Sequence, residues 1–285
     1  MNLEWYPAPA KLNLFLRVLG RRNDGYHLLQ TVFRLIDHGD RVGIRTRTDG
    51  EIRRLSVVEG VPPESDLCLR AAALLRAHAL ASDRAPGRDL GADLALEKRL
   101  PIGGGLGGGS SDAATVLLAL NRLWALGLSR AALQEVGLRL GADVPLFVFG
   151  ETALGEGIGE RLTAFPLPPA WYLVLAPQVT VSTREIFSDA ALTRDSKPLK
   201  LLPFLPVPGG NDLEPVVLRR YPEVATHLDW LRKFGDARLT GSGACVFTEF
   251  ETEAAAREVL SRVPGSMQGF VARGLDRHPL RDWAG

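Results

Sequence analysis

Alternating apolar and polar positions predict strands at the start of the chain. The alternation runs through residues 8–19 from Lys11 onward, and a cluster of turn-forming residues follows at 20–25. Two further apolar, β-branched segments at 28–36 and 40–46 are typical of strands. Three successive strands are therefore expected before the first helix.

Apolar residues at helical spacing predict the first helix at 65–79, where Ser65 or Asp66 can cap the N-terminus. Further helices are predicted at 110–125, 129–140, 184–187, 212–220, 223–233 and 253–262. The remaining predicted strands cover 90–98, 147–154, 171–176, 237–240, 244–249 and 266–273, with a tight loop at 155–159 and an exposed, proline-rich loop at 195–210.

The order of these elements predicts an α+β fold, because strands and helices do not alternate regularly as they do in parallel α/β proteins. A length of 285 residues fits one large domain or two of ordinary size. The best boundary signal is Pro166-Leu-Pro-Pro169, since three prolines in four residues break any regular element. The predicted domains are 1–162 and 163–285.

Composition and charge exclude several classes of protein. Hydrophobic residues make up 46% of the chain and the formal net charge is +1, so nucleic acid or an anionic membrane is not expected as the main partner. No apolar run reaches the ~18 residues of a membrane span, and the first residues do not resemble a secretory signal. Cys68 and Cys245 follow no metal-binding spacing and suit buried thiols in a reducing compartment. A cytoplasmic protein is expected.

The segment Pro101–Asp112 contains six glycines and leads directly into an apolar, Ala/Leu-rich helix. Glycine lets a ligand approach the backbone closely, and a helix start offers unpaired N–H groups, so the segment predicts a phosphate site. It lacks the Gly-Lys-Ser/Thr ending of a P-loop and the βαβ context of a dinucleotide fingerprint. Ser110 and Ser111 could bind phosphate, hold Mg²⁺ or simply cap the helix.

Two charged residues are candidates for chemistry. Asp143 follows a predicted helix among apolar neighbours, so it is either a turn or cap residue or a general base. Lys11 shares one face of its strand with Asn13, while the leucines at 12, 14 and 16 share the other face. This polar face suits a functional site and a solvent-exposed surface equally well.

Two further segments are weaker candidates for binding. Tyr26 and His27 follow the turn at Asp24-Gly25, where they could stack on and hydrogen-bond a base or serve as turn and core residues. The turn Gly241-Ser-Gly243 could aim amides at an anion, although a tight hairpin explains it equally well.

These segments, in this order, resemble the GHMP small-molecule kinase superfamily over nearly the whole chain. The resemblance implies a two-domain α+β fold, with a ribosomal-S5-like N-terminal domain, a ferredoxin-like C-terminal domain and the active site in the cleft between them. The segments that carry it are Ala8–Leu14, Asp24–His27, Gly104–Ser111, Gly141–Pro145, Asn211–Glu214 and Leu239–Phe247.

Within the superfamily, the segments are similar to those of kinases that phosphorylate the 2-hydroxyl of a CDP-linked methylerythritol in isoprenoid precursor biosynthesis. The resemblance implies that Asp143 accepts the hydroxyl proton, while Lys11 keeps Asp143 ionised and orients the reacting groups. ATP and Mg²⁺ are implied as cofactors, with no metal ligand assigned. The implied ATP-binding residues are Lys98, Pro101, Gly103, Gly104, Gly105, Leu106, Gly107, Gly108, Gly109, Ser110 and Ser111.

The resemblance also implies a cytidine site. Asn13 and Thr183 would contact the substrate, His27 would pair with the cytosine edge, and Tyr26 and Phe187 would sandwich the ring. One position departs from the family: relatives often carry Asn near the adenine where this chain has Asp66, which has no amide donor.

Three other hypotheses remain at the level of sequence. A related kinase could act on another small alcohol such as mevalonate or homoserine, but Tyr26, His27 and Phe187 favour cytosine. A regulator that has lost catalysis would lack Lys11 or Asp143, and both are present. An RNA-binding module of S5-like fold is disfavoured by the near-neutral charge. The oligomeric state stays open.

Overall fold

The computed structural model describes residues 2–58, 61–82, 84, 89–204 and 209–285. The strands in these ranges are β1 (Glu4–Arg21), β2 (His27–Arg47), β3 (Ile52–Arg54), β4 (Gly91–Glu97), β5 (Ala153–Gly157), β6 (Arg161–Ala164), β7 (Trp171–Leu175), β8 (Arg238–Leu239), β9 (Val246–Phe250) and β10 (Gly269–Leu275). The α-helices are α1 (Leu67–Ala81), α2 (Gly108–Leu123), α3 (Arg130–Leu138), α4 (Val144–Phe149), α5 (Thr183–Ser188), α6 (Glu214–Arg220), α7 (Pro222–Leu231) and α8 (Glu253–Leu260), with short 3-10 helices at Pro63–Ser65 and Arg281–Trp283.

The N-terminal half is built on the long antiparallel pair of β1 and β2. β2 also pairs with β4 and β5, and α1 to α4 cover the sheet around a core of alanine, leucine and valine side chains. The segments predicted as strands at 28–36 and 40–46 form one continuous strand. Gly39 makes this continuity possible, because a Cβ at that position would lie 2.1 Å from the carbonyl oxygen of Ala8.

The C-terminal half carries the strand order β10-β7-β9-β8 and packs α6 and α7 against a second apolar core. It joins the first half through β10, whose Gly274 and Leu275 pair with Ile36 and Leu35 of β2. The sheet is therefore continuous across the molecule, and the α+β prediction is confirmed. The boundary between residues 162 and 163 stays a prediction.

The strand predicted at 147–154 is wrong at its start. Residues 144–149 form α4, which has Pro145 in its first turn and ends at Gly150, whose φ is 71°. A short apolar run does not distinguish a strand from a buried helix by periodicity, and the proline favours a helix start. The tight loop predicted at 155–159 is also shifted, because β5 continues to Gly157.

The edge strands β3 and β6 were not predicted, since each is short and none of their residues is buried. Residues 205–208 of the predicted loop at 195–210 lie outside the described residues. None of the helices in the described ranges is long and apolar enough to cross a membrane.

Candidate active site

A cleft of about 590 Å³ opens between the two halves of the molecule. The glycine loop at 101–107 and the start of α2 form its floor, and the turn at 241–243 and α5 contribute from the C-terminal half. Its polar and charged lining residues include Lys11, Asn13, Thr31, Asp66, Lys98, Ser110, Asp112, Asp143, Thr183 and Ser242.

The start of α2 leaves backbone donors for a ligand. The helix begins at Gly108, two residues before the predicted start, and its N-cap is Gly107 with a φ of 72°. Gly107 has no side chain, so no side-chain hydrogen bond caps the helix, and capping by Ser110 or Ser111 is excluded. The first N–H groups of a helix need partners from outside it, and the helix dipole favours an anion there. The predicted phosphate site therefore has suitable geometry.

The glycine loop is fixed in place by residues distant in sequence. The carbonyls of Gly103 and Gly104 accept from the amides of Ala244 and Cys245 at 3.2 and 3.1 Å, respectively. The carbonyl of Leu106 accepts from the amide of Lys11 at 3.0 Å. These bonds turn the loop carbonyls toward protein and away from the cleft.

Thr240 links the loop to strand β1. Its hydroxyl accepts from the amide of Asn13 at 3.0 Å and donates to the carbonyl of Gly105 at 3.4 Å. Asn211 supports this turn, because its side-chain amide donates to the carbonyls of Leu239 and Gly241 at 3.0 and 2.7 Å. The glycine turn is thus part of the cleft wall and not an isolated hairpin.

Lys11 and Asp143 face each other across the cleft, with 3.6 Å between Nζ and Oδ2. The Lys11 ammonium is buried and donates to Oδ1 of Asn13, whose own Nδ2 donates to Thr31. The solvent-exposed interpretation of this strand face is therefore wrong. Asp143 immediately precedes α4, but its side chain makes no capping bond and is 36% exposed to the cleft. The structure leaves this carboxylate available for chemistry.

Lys98 lies below the start of α2 between two carboxylates. Its ammonium pairs with Asp40 and lies 3.2 Å from Oδ2 of Asp112. Burial opposes the charge of Lys98, yet Asp112 and Asp40 raise its pKa above the ordinary value. Burial, opposed by Lys98 and reinforced by Asp40, raises the pKa of Asp112 to about 8. Lys98 therefore acts first as the counter-ion of Asp40 and as a hydrogen-bond donor to Asp112.

The predicted cytidine residues are only partly brought together. The rings of His27 and Phe187 lie 4.9 Å apart, and Phe187 lines the cleft. Tyr26 is 57% exposed and contacts no other aromatic ring among the described residues. Thr183, at the start of α5, shares a 2.7 Å hydrogen bond with Ser242 of the glycine turn. Phe187 packs on His27, and of these three aromatic side chains Phe187 alone is among the residues that line the cleft.

Two sequence candidates are engaged in structural contacts. The hydroxyl of Ser111 is fully buried and donates to the carbonyl of Pro9 at 2.7 Å, which holds α2 against β1. Asp66 caps α1 by accepting from the amide of Cys68 at 2.8 Å, and it pairs with Arg54 at 2.9 Å. The Ser110 hydroxyl, in contrast, lines the cleft and makes no hydrogen bond within the described residues.

Sequence reasoning missed several residues that shape the cleft. Asp40 accepts from the amides of Arg99 and Leu100 at 2.6 and 2.8 Å and so sets the entry to the glycine loop. Arg194 donates to Nε2 of His27 at 3.1 Å. Asn211 and Thr240 stood in segments that carry the resemblance, which was the available signal. No sequence pattern pointed to Asp40 or Arg194.

The side chains of the cleft do not form a metal cage of their own. Within the described ranges, no group of three or more His, Cys, Asp or Glu residues could hold a metal ion. The chemistry of the donors present, chiefly the Asp143 carboxylate and the Ser110 hydroxyl, suits a hard cation whose other ligands are phosphates and water.

Comparison with known sequences gives matches in both halves. A family model for the GHMP kinases N terminal domain matches residues 66–151, and a model for the GHMP kinases C terminal matches residues 199–268. The 4-diphosphocytidyl-2-C-methyl-D-erythritol kinase of Nitrosospira multiformis is 59% identical over 281 residues, covering 98% of this chain and 93% of the relative. The enzyme of the same name from Thiobacillus denitrificans is 60% identical over 278 residues, covering 98% of each.

Comparison with solved structures also gives matches to kinases. A crystal structure of a 4-(cytidine 5'-diphospho)-2C-methyl-D-erythritol kinase aligns with a TM-score of 0.77 and 33% identity, covering 95% of this chain and 99% of the other. A mevalonate kinase aligns with a TM-score of 0.66 at 15% identity, covering 96% of this chain and 100% of the other. The second match supports a shared fold alone.

Proposed function

The chain belongs to the GHMP kinase family, as its sequence segments predicted, and from this premise we propose that it phosphorylates 4-diphosphocytidyl-2-C-methyl-D-erythritol at the 2-hydroxyl. It is an ATP-using kinase of a small-molecule alcohol in isoprenoid precursor biosynthesis. Relatives that bear this name reach 60% identity over nearly the full chain. Mevalonate and homoserine kinases are 15% and 14% identical and share the fold.

The observation that carries the proposal is the pair formed by Lys11 and Asp143, 3.6 Å apart in the cleft that the glycine loop borders. In the proposed reaction, the oxygen of the substrate hydroxyl bonds to the γ-phosphorus of ATP while Asp143 accepts the hydroxyl proton. The bond from that phosphorus to the bridging oxygen breaks, and ADP leaves. Lys11 orients Asp143 and stabilises charge on the transferring phosphoryl group. Phosphoryl transfer asks mainly for such positioning and charge stabilisation.

The glycine loop is proposed to hold the phosphates of ATP. Its support is the free first turn of α2, where the amides of Gly108, Gly109 and Ser110 lack helical partners. Mg²⁺ would neutralise charge on the phosphates when bound, and Ser110 and Asp143 are the side chains that would face it. Ser111 would contribute to this site only by holding α2 in position.

The cytidine end is proposed to lie at His27 and Phe187, near the bond between Thr183 and Ser242. A neutral His27 suits hydrogen bonding to a base, and burial, Arg194 and Arg21 lower its pKa in that order of effect. Tyr26 is exposed beside His27. To stack on cytosine, the rings of Tyr26 and Phe187 must both move onto the base. A cytoplasmic location and the absence of a nucleic-acid partner stay predictions.

An ADP-release assay across a panel of alcohols tests the proposal. The panel contains the CDP-linked methylerythritol, mevalonate and homoserine, each with ATP and Mg²⁺. We expect turnover of the CDP-linked substrate to exceed that of the other two by several orders of magnitude. Preference for mevalonate or homoserine would assign a related kinase activity, and no turnover of any alcohol would indicate a regulator that has lost catalysis.

A further inference from the structure

Arg194 connects the predicted cytidine residues in a way that the reaction itself does not explain. Its Nε donates to Nε2 of His27 at 3.1 Å. One terminal nitrogen donates to the carbonyls of Phe187 and Asp189 at 2.9 and 2.7 Å, and the other to the carbonyl of Leu192 at 3.0 Å. The guanidinium therefore joins the end of α5 and the following turn to strand β2.

This bond decides which ring nitrogen of His27 carries the proton. A guanidinium has five N–H donors and no acceptor, and it stays protonated in proteins. Nε2 of His27 must therefore present its lone pair, which leaves the proton of the neutral ring on Nδ1. The nearby charges of Arg194 and Arg21, together with burial, disfavour the doubly protonated ring and lower its pKa.

The Nδ1 of His27 is thereby a committed donor. It makes no hydrogen bond within the described part of the chain. The His27 ring lies 4.9 Å from the ring of Phe187, which lines the cleft. A base bound at the cytidine site of the proposed function would meet a histidine that can donate but cannot accept at Nδ1.

We propose that Arg194 is a positioning residue that fixes His27 as an Nδ1 donor and so selects cytosine over uracil. This inference rests on the proposed function. The N3 atom of cytosine is an acceptor and pairs with a donor. The N3 atom of uracil carries a hydrogen, so the same donor forms no hydrogen bond with it and the two hydrogens repel each other. Without Arg194, the ring of His27 is free to present either a donor or an acceptor, and the discrimination is lost.

The tautomer itself is measured by ¹⁵N NMR of the histidine side chains in the free protein at neutral pH. We expect wild-type His27 to be neutral with its proton on Nδ1, and Arg194→Met to give a mixture of both tautomers. Arg220→Met is the matched control, because Arg220 pairs with Asp189 in the same turn and does not contact His27. An Nε2-protonated or cationic His27 in the wild-type protein would overturn the proposal without any variant.

The specificity is measured as the ratio of kcat/KM for the CDP-linked and UDP-linked methylerythritols. We expect Arg194→Met to lower this ratio about tenfold, the effect of one hydrogen bond, while Arg194→Lys retains part of it and Arg220→Met leaves it unchanged. A ratio that stays at the wild-type value while the tautomer shifts would refute the link to specificity. If the wild-type protein turned over neither substrate, the proposed function would fail, whereas the tautomer result would stand independently.

Discussion

The two ends of the cleft that are proposed to hold the ATP phosphates and the cytidine are built by different means. The phosphate end is made of backbone: free amides at the start of α2 and a glycine loop whose carbonyls are fixed by Ala244, Cys245 and the amide of Lys11. The cytidine end is made of side chains, chiefly His27 and Phe187, which pack on each other, and Tyr26, which is exposed. A backbone site is set when the chain folds, whereas a side-chain site can rearrange when its ligand arrives.

This difference predicts how substitutions act. A change that strains the glycine loop should weaken ATP binding more than substrate binding, and rotating a side chain cannot relieve it. A change at the cytidine end affects one hydrogen bond or one stacking contact, so its cost is smaller. Between them, Lys11 and Asp143 belong to neither binding end, and a change there should affect the rate and spare both affinities.

The largest effect is expected from Asp143→Asn, which keeps the shape of the side chain but removes the base. The kcat should fall by about 10²- to 10⁴-fold, the usual worth of general base catalysis, with little change in either KM. The measurement is ADP release at saturating substrates. Asp229→Asn, an exposed carboxylate on α7, is the control. A kcat within a few fold of the wild-type value would refute the role of Asp143.

Gly107→Ala tests the backbone end. The φ of Gly107 is 72°, a conformation that costs an L-residue roughly 1–2 kcal/mol, and its Cβ would lie 2.9 Å from the ring of Phe147. The KM for ATP should rise about tenfold or more, with a smaller change in the KM for the cytidine substrate.

Gly127→Ala provides the matched control for backbone strain. Gly127 has a φ of 62° and lies in the loop between α2 and α3, outside the cleft. The Gly127→Ala substitution should lower the stability of the protein and leave the KM for ATP unchanged. Equal rises in KM in both glycine variants would show that strain anywhere in the fold, and not the loop itself, controls ATP binding.

His27→Ala tests the side-chain end. Losing one hydrogen bond and the ring beside Phe187 should raise the KM for the cytidine substrate about tenfold and leave the KM for ATP unchanged. His38→Ala is the control, since that ring stacks on Phe270 at 3.8 Å, outside the cleft. Similar increases in the KM for the cytidine substrate and the KM for ATP would show that the two ends of the cleft do not bind their ligands separately.

The smallest effect concerns pH. The pKa of Asp112 is raised to about 8, so the carboxyl is neutral below that pH and becomes charged above it. The added negative charge beneath the start of α2 should raise the KM for ATP a few fold between about pH 7 and about pH 9. Asp112→Asn should abolish this rise. A KM profile that is identical in both proteins would show that Asp112 does not titrate in this range.

The sequence predicted the glycine loop and the helix that follows it, and the phosphate site inferred from them stays a prediction. Glycine content and the helix that follows pointed to a phosphate site from local residues alone. The start of α2 was placed two residues late, because glycines are poor helix formers and the apolar pattern begins only at Ala113. A local pattern is therefore enough to locate a loop and a helix that lie in one continuous segment.

The side-chain contacts were less accessible to prediction. Lys11 and Asp143 were each ambiguous by residue type, and only the family resemblance placed them together. The bond between Arg194 and His27 joins residues 167 positions apart, and one arginine in a chain rich in arginine gives no local signal. Such contacts depend on the tertiary fold, which periodicity and spacing do not specify.

The bonds from Ala244 and Cys245 to the glycine loop also join segments that are synthesised at different times on the ribosome. Residues 101–107 are synthesised long before the segment that holds their carbonyls in place exists. A nascent chain that ends before residue 240 contains the whole glycine motif and Lys11 but lacks Thr240, Ala244 and Cys245, which hold the other loop carbonyls. We therefore expect nucleotide binding at the proposed site only near the end of synthesis.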